Sequence, residues 1–106
     1  MTHLSCPYLR EDVELSGERE RHIRERHPDL LPAHRDELRQ TLADPDAVRK
    51  SARLPNARLF SRWSGNIRGG KHVVVVVVSE HSGRHGGVTA YLARKLAEGV
   101  VEWKRS

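Results

Sequence analysis

Two histidines and an arginine on one side of a predicted helix are the residues best suited to chemistry. The stripe has the i, i+1, i+4, i+5, i+8 spacing of a single helix face and consists of His22, Ile23, Arg26, His27 and Leu30. Histidine has the unperturbed pKa closest to neutrality, so two histidines can supply one general base and one general acid. The same residues also have a plain structural interpretation, in which the imidazoles form hydrogen bonds within a small core.

Cleavage of RNA without a metal ion requires this set of groups. A base takes the proton of the 2′-hydroxyl, an acid protonates the departing 5′-oxygen, and cations stabilise the charge that builds on phosphorus. Internal attack by the 2′-hydroxyl restricts the reaction to RNA. His22 and His27 are therefore the candidate base and acid, in either order, and Arg26 is the candidate phosphate clamp.

Histidine also binds metal ions, but the spacing here does not favour a metal site. His22 and His27 are five positions apart, whereas two ligands on one helix face are four apart. His81 and His85 are four apart but flank a predicted loop, and with Cys6 as the one cysteine no thiolate-rich zinc site can form. We therefore expect neither a metal nor any other cofactor.

The charge of the chain favours an anionic partner. Its 106 residues carry 19 Lys and Arg and 14 Asp and Glu side chains, which gives a formal net charge of +5 and a pI near 10.0. Residues 57–106 hold nine of the basic and three of the acidic side chains. In this half, cations flank an aromatic ring that could stack on a base, and the candidate nucleic-acid-binding residues are Arg58, Phe60, Arg62, Arg68 and Lys71. A solvated strand edge has a similar composition.

Proline residues interrupt the first half of the chain and glycine residues the second, and this difference predicts helices followed by strands. Ser16 is the expected N-cap of a helix over 17–27, and a second helix begins near Pro32 with Leu38 and Leu42 on one face. Asp44-Pro45 is expected to open a short turn or helix before Val48, and residues 12–15 are predicted to form either a short strand or an extended lead-in.

Strands are predicted over 57–63, 72–79 and 88–92, and the tail from residue 94 is either a helical turn or a last strand ending at Trp103. The six consecutive valines 73–78 are typical of a central strand that is covered on both faces. Helices are expected on one face, and a partner subunit, the tail or a ligand on the other.

These elements predict a single α+β domain over residues 1–106. It is divided into a lead-in (1–14), a helical half (15–50) and a strand half (57–103). The two N-terminal helices are expected to pack on one face of a roughly four-stranded antiparallel sheet, because the gaps between the strands are too short for helical crossovers.

Several short motifs, in this order and spacing, resemble a known nuclease family. They are HIRERHP at 22–28, TLADPDAV at 41–48, LF and RW within 59–63, KHVVVVVV at 71–78, VTAY at 88–91, and finally Gly99 with Trp103. The series is similar to the small phage-type members of the barnase/EndoU/colicin/RelE-like nuclease superfamily. The resemblance implies N-terminal helices on a four-stranded antiparallel sheet and a metal-independent ribonuclease that acts as a toxin or effector. It also implies active groups from a first-helix histidine and from the sheet, which here are Thr89 and Tyr91, with Lys95 and Arg94 beyond them.

The sequence therefore predicts a ribonuclease-like domain that binds RNA. The alternative is an inactive protein-interaction module of the same fold, whose valine-rich sheet binds a second copy or another partner, so a homodimer or a cognate protein inhibitor is also considered. No apolar stretch is long enough to span a membrane and no secretory signal is visible, while the lone Cys6 fits a reducing compartment. We expect a cytoplasmic protein without a membrane partner.

Overall fold

A computed structural model describes residues 1–96 and 99–105, and in this part of the chain it has seven strands and two α-helices. The chain begins with β1 (Thr2–Cys6), a 3₁₀ turn (Pro7–Leu9) and β2 (Glu11–Leu15), followed by α1 (Gly17–Arg26) and α2 (Arg35–Ala43). The remaining strands are β3 (Ala47–Lys50), β4 (Ala57–Ser64), β5 (Lys71–Ser79), β6 (His85–Ala93) and β7 (Val100–Lys104).

The seven described strands form one mixed sheet in the order β1-β2-β6-β5-β4-β3-β7. Neighbouring strands are antiparallel, except that β2 runs parallel to β6. A parallel pair needs a long connection, and here both helices and β3 to β5 lie between the two strands. The prediction of two helices on a four-stranded antiparallel sheet is therefore wrong, because short strands were missed and the sheet is mixed.

Two strands before residue 57, β1 and β3, were not predicted, whereas β2 corresponds to the short strand that was one of two alternatives for residues 12–15. In β1 and β2 the buried residues alternate with more exposed ones and are Leu4, Cys6, Val13 and Leu15. Half-buried strands show this alternation with a period of two residues. Each of these strands, however, has only two buried apolar residues, so the pattern is short. Residues 2–15 thus form a hairpin in the sheet rather than a lead-in, and β3 occupies the place of the expected turn or helix at 44–48.

The two helices lie close to their predicted positions. α1 follows Ser16, whose Oγ accepts a hydrogen bond from the backbone N–H of Arg19 at 3.1 Å. α2 begins at Arg35 and packs its buried Leu38 and Leu42 against β1, β4 and β5. Neither described helix is long and apolar enough to cross a membrane.

The central strand β5 is buried on both faces. Val73, Val75 and Val77 belong to the core that includes the helices, and we call their side of the sheet the helix face. Val74 and Val76 point to the opposite side, the outer face, and are only 2% and 7% exposed. A strand that is apolar at both alternate positions is buried in this way, as the sequence predicts.

The chain itself covers part of the outer face. Leu96, in the segment after β6, shares a small cavity with Leu59, Val74 and Tyr91. Of the three coverings considered from the sequence, the described chain thus shows one residue of the tail over this face, and Val74 and Val76 are buried within one chain. The protein-interaction alternative stays a prediction from the sequence.

Gly70 allows the turn between β4 and β5 to pass directly under the ring of Trp63. Its φ is +70°, and a Cβ added there would lie 2.3 Å from Cζ2 of Trp63. We expect Gly70→Ala to lower the free energy of unfolding by at least about 1–2 kcal/mol, which is the cost of left-handed backbone for an L-residue. Urea denaturation measures the change. Gly65→Ala is the matched control, because nothing lies within 4 Å of its Cβ position, and equal destabilisation by both variants would contradict this account.

Candidate functional site

Polar side chains from six elements meet at the end of the sheet where β4 begins, β5 ends and β6 begins. We call them the sheet-end network, and its members are Tyr8, Glu11, Arg58, Ser79, His85 and Glu102. Strand register places three of them: Arg58 pairs with Val77 on the helix face, and Ser79 pairs with His85 two positions further along β5. The network is therefore a consequence of how β5 pairs with its two neighbours.

Arg58 is the centre of the network. Its Nε donates to Oε1 of Glu102 at 2.8 Å, and its Nη1 donates to Oγ of Ser79 at 3.3 Å. The side chains of Arg58 and Glu102 are 31% and 19% exposed, so the ion pair is shielded from water without being sealed. A guanidinium has five N–H donors, and these two bonds occupy two of them. Arg58 can thus hold an anion while it keeps both partners.

Glu102 is held as a carboxylate by two donors. The hydroxyl of Tyr8 donates to Oε1 at 2.6 Å, on the same oxygen that accepts from Arg58. Burial raises the pKa of Glu102, but the hydrogen bonds from Tyr8 and Arg58 outweigh it and lower the pKa overall. Burial, followed by the contact with Glu102, raises the pKa of Tyr8 to about 12. At neutral pH the pair is a neutral phenol on an ionised carboxylate.

His85 is joined to Arg58 through a hydroxyl. Its Nδ1 lies 2.7 Å from Oγ of Ser79, and its Nε2 lies 3.4 Å from Oε2 of Glu11. When Nδ1 carries a hydrogen, Ser79 Oγ accepts from both His85 and Arg58. The hydrogen of the Ser79 hydroxyl is then free to point at a ligand.

A cleft of about 530 Å³ opens beside the network. Its wall includes Lys50, Arg58, Ser79, His81 and Glu102, and Lys50 is the strand neighbour of Arg58. Ser79 lines the cleft, and His85 is linked to it through Ser79. The cleft therefore presents the carboxylates of Glu80 and Glu102, two permanent cations, and a hydroxyl that is backed by an imidazole. In residues 1–96 and 99–105, no group of three or more His, Cys, Asp and Glu side chains is placed to hold a metal ion.

The predicted acid–base stripe lies away from this cleft. His22 and His27 are half-buried, Arg26 is exposed, and the buried residue of α1 is Ile23. The ring of His27 lies 6.0 Å from the ring of Tyr91, so the structure brings these two predicted residues together. It places Arg26 in solvent rather than beside them.

The other predicted site residues are dispersed. Thr89 and Tyr91 are half-buried on β6, and Arg94 and Lys95 are exposed just beyond it. Of the predicted nucleic-acid-binding residues, Arg58 belongs to the sheet-end network, whereas Phe60 is fully buried in the core and is closed to a base.

The remaining three cations do not surround the cleft either. Arg62 donates to the backbone O and to Oδ2 of Asp44, at 2.6 and 3.1 Å. Arg68 is exposed and Lys71 half-buried at the opposite end of β5, where the Lys71 Nζ donates to the Arg68 carbonyl at 3.0 Å. The five predicted residues therefore do not form one phosphate-binding surface.

Sequence reasoning missed most of the sheet-end network. Ser79 ends a predicted strand, but His85 was placed in the loop before the strand over 88–92, whereas β6 begins at His85 and pairs it with Ser79. A longer predicted hairpin would have set the two residues opposite each other. Tyr8 and Glu102 are 94 positions apart, and no local pattern connects them.

The raised pKa of Tyr8 gives a direct spectroscopic test. At pH 11 a tyrosine with a pKa of about 12 is roughly one-tenth ionised, whereas one with a pKa near 10 is roughly nine-tenths ionised. We therefore expect the phenolate absorbance of the folded protein at pH 11 to be lower than that of the unfolded chain at the same pH, by about the contribution of one tyrosine. Tyr8→Phe removes this late-ionising group, and Tyr91→Phe retains it.

The same shift predicts a pH dependence of stability. The folded pKa of Tyr8 is above its unfolded value of 10.0, so the contribution of Tyr8 is fully present below pH 10 and is lost as the pH rises towards 12. The stability difference between the wild type and Tyr8→Phe should shrink across this window. A constant difference would contradict the hydrogen bond to Glu102.

Comparison of the chain with family models, curated proteins and solved structures finds no match. The resemblance to the nuclease superfamily stays a prediction from the sequence. The functional argument therefore rests on the side-chain chemistry and geometry of the sheet-end network.

Proposed function

We propose that this protein cleaves RNA at the sheet-end cleft, by attack of a ribose 2′-hydroxyl and with proton transfers to and from its own side chains. One observation carries the proposal: a guanidinium is joined on one side to a carboxylate and on the other, through a hydroxyl, to an imidazole. The reaction class is the one expected from the sequence, but the residues are Glu102, Arg58, Ser79 and His85 in place of the α1 stripe.

Glu102 is the general base. Its lowered pKa keeps it ionised at neutral pH, and both protein hydrogen bonds end on Oε1. Oε2 accepts the proton of the 2′-hydroxyl, and the resulting oxygen attacks the adjacent phosphorus. Tyr8 and Arg58 hold the carboxylate in one orientation, which reduces the entropy lost when the substrate binds.

The acid is a two-step relay from His85 through Ser79. As the bond from phosphorus to the 5′-oxygen breaks, that oxygen takes the hydrogen of the Ser79 hydroxyl, and Ser79 Oγ takes the hydrogen of His85 Nδ1. The products are a 2′,3′-cyclic phosphate and a 5′-hydroxyl. Oε2 of Glu11 lies 3.4 Å from Nε2 and holds the imidazole ring with Nδ1 towards Ser79.

Cations next to the phosphate stabilise the charge that develops during the attack. Arg58 lies between the base and the acid and retains free donors, and Lys50 lies on the neighbouring strand in the wall of the same cleft. Such preorganised cations are worth more in a partly shielded cleft than in open water.

Substitutions in the network test the roles. We expect Glu102→Gln and Arg58→Ala to reduce cleavage of a single-stranded RNA by roughly 10²–10⁴-fold, since each removes a group needed in the transition state. We expect His85→Ala and Ser79→Ala to give similar losses to each other, because they are two parts of one relay. Initial rates in EDTA, with the cyclic phosphate identified by mass spectrometry, are the measurement.

The matched controls use residues outside the cleft. His22→Ala and His27→Ala test the sequence-based assignment, and Arg39→Ala removes an arginine whose partner, Asp36, lies on the same exposed helix face. All three should cleave at the wild-type rate. A substrate with a single 2′-deoxyribose at the cleavage position should be inert. Cleavage of that substrate, or full activity of Glu102→Gln and Arg58→Ala, would overturn the proposal.

A second candidate function is hydrolysis through a covalent intermediate on Ser79. Three side chains lie in a row: Ser79 Oγ is 2.7 Å from His85 Nδ1, and His85 Nε2 is 3.4 Å from Glu11 Oε2. A hydroxyl, an imidazole and a carboxylate in this order are the arrangement that activates a nucleophilic serine. A fluorophosphonate probe distinguishes the two. Labelling that is lost in Ser79→Ala supports the nucleophile, whereas no labelling together with RNA cleavage supports the relay.

A further inference from the structure

A rigid tryptophan platform lies at the other end of the sheet, on the outer face. Trp63 and His72 are strand neighbours at the end of β4 and the start of β5, and their rings meet edge to face with centroids 4.9 Å apart. Trp63 nevertheless remains 49% exposed. A large aromatic side chain that is half in solvent and fixed by a neighbouring ring is a feature of binding surfaces rather than of a core.

The turn backbone fixes the tryptophan ring. The Cβ position of Gly70 lies 2.3 Å from Cζ2 of Trp63, so the ring rests directly on the backbone at a place where a side chain does not fit. The backbone N–H of Trp63 donates to Oδ2 of Asp46 at 2.7 Å, which fixes the backbone from which the ring extends. Because the ring is already immobilised, a ligand that stacks on it loses little side-chain entropy on binding.

Cationic residues lie near this platform in the fold. Arg68 lies in the turn that carries Gly70, and Arg94 and Lys95 follow Ala93, which is the strand neighbour of His72. Lys71, in contrast, has the same parity on β5 as Val73 and so belongs to the helix face. Within residues 1–96 and 99–105, Arg68, Arg94 and Lys95 form no ion pair with a carboxylate, whereas Arg58, Arg62 and Arg84 do. Trp63 is thus an exposed ring with cationic residues in the turn beside it and beyond the end of β6.

We propose that the Trp63 platform binds an unpaired base of single-stranded RNA, with the flanking phosphates held by Arg68 on one side and by Arg94 and Lys95 on the other. A fixed aromatic ring among cations matches the alternation of bases and phosphates in a single strand. In a duplex the bases are stacked and paired, so only a single strand offers the ring a free face. The choice of RNA rests on the proposed function, whereas the stacking does not.

Binding of an uncleavable strand tests the inference. The probe is a fluorescein-labelled 2′-O-methyl oligonucleotide of 12 residues, which lacks the attacking hydroxyl, and its anisotropy is titrated at low salt. We expect Trp63→Ala to bind roughly 5- to 100-fold more weakly. Trp63→Phe should be intermediate. The control Val100→Ala removes an apolar side chain that is 68% exposed on β7, and it should bind as the wild type does.

Fluorescence reports on the ring itself, because the chain has two tryptophans. In a Trp103→Phe background Trp63 is the remaining emitter, and stacking of a base should quench it. Arg68→Ala should reduce the slope of log affinity against log salt by about one phosphate contact. Lys71→Ala is the matched control, because Lys71 belongs to the helix face, and it should leave the slope unchanged. Equal affinity of Trp63→Ala and the wild type, or unquenched emission at saturation, would overturn the inference. Competition by a poly-glutamate peptide with the same dependence on Trp63 would also overturn it, in favour of an acidic protein partner.

A dinucleotide substrate separates this inference from the proposed function. It occupies the cleft alone, so Trp63→Ala should cleave it at the wild-type rate. If the wild type cleaves the dinucleotide but Trp63→Ala still binds the long strand as the wild type does, the inference about the Trp63 platform is overturned and the ribonuclease proposal stands. If the long strand binds through Trp63 but no RNA is cleaved, the ribonuclease proposal fails and the platform stands.

Discussion

Burial of β5 on both of its faces is the constraint on which the rest of the structure depends. A strand buried in this way must satisfy its backbone N–H and C=O groups on both edges, and β4 and β6 do so along almost its whole length. These pairings set the register at both ends of the strand. At one end Ser79 faces His85, and at the other His72 faces Trp63. Both candidate functional surfaces therefore follow from the packing of one valine strand.

The sheet-end network joins the two ends of the chain. Tyr8 belongs to the first hairpin and Glu102 to the last strand, and their hydrogen bond closes over Arg58. A half-buried charge is tolerated only when it is paired. Removal of one member of the network therefore leaves another charge partly desolvated without its partner, which lowers the stability of the fold. The ring of Tyr8 also packs on Phe60 and Trp103. Core packing thus fixes the phenol that in turn fixes the carboxylate, and the site is rigid for the same reason that the fold is.

Local patterns in the sequence predict the elements that local chemistry determines. The cap at Ser16, the apolar face of α2 and the valine strand are of this kind. A short strand was one of two alternatives for residues 12–15, but β1 and its pairing with β2 were missed because each strand has only two buried apolar residues in alternation. The stripe on α1 does face the sheet, since its Ile23 and Leu30 are buried and its two histidines half-buried, but Arg26 is exposed and the stripe lies away from the cleft. Tyr8 and Glu102 meet through tertiary packing alone, which no sequence window contains.

The pairing state of the cations separates the two surfaces by role. Arg58 is fixed by Glu102 and Ser79, which suits a group that must meet a phosphate in one geometry. The cations around Trp63 lack carboxylate partners in the described chain, which suits attraction of a polyanion without a fixed geometry. Arg58 and Trp63 are five residues apart on β4, roughly 17 Å along the strand, and they face opposite sides of the sheet. Since salt screens exposed charges more than shielded ones, the proposed capture of a strand at Trp63 is expected to be more sensitive to salt than the proposed proton transfer at Glu102. A cationic surface apart from the candidate cleft would then act on the polyanion at longer range than the shielded Arg58 can.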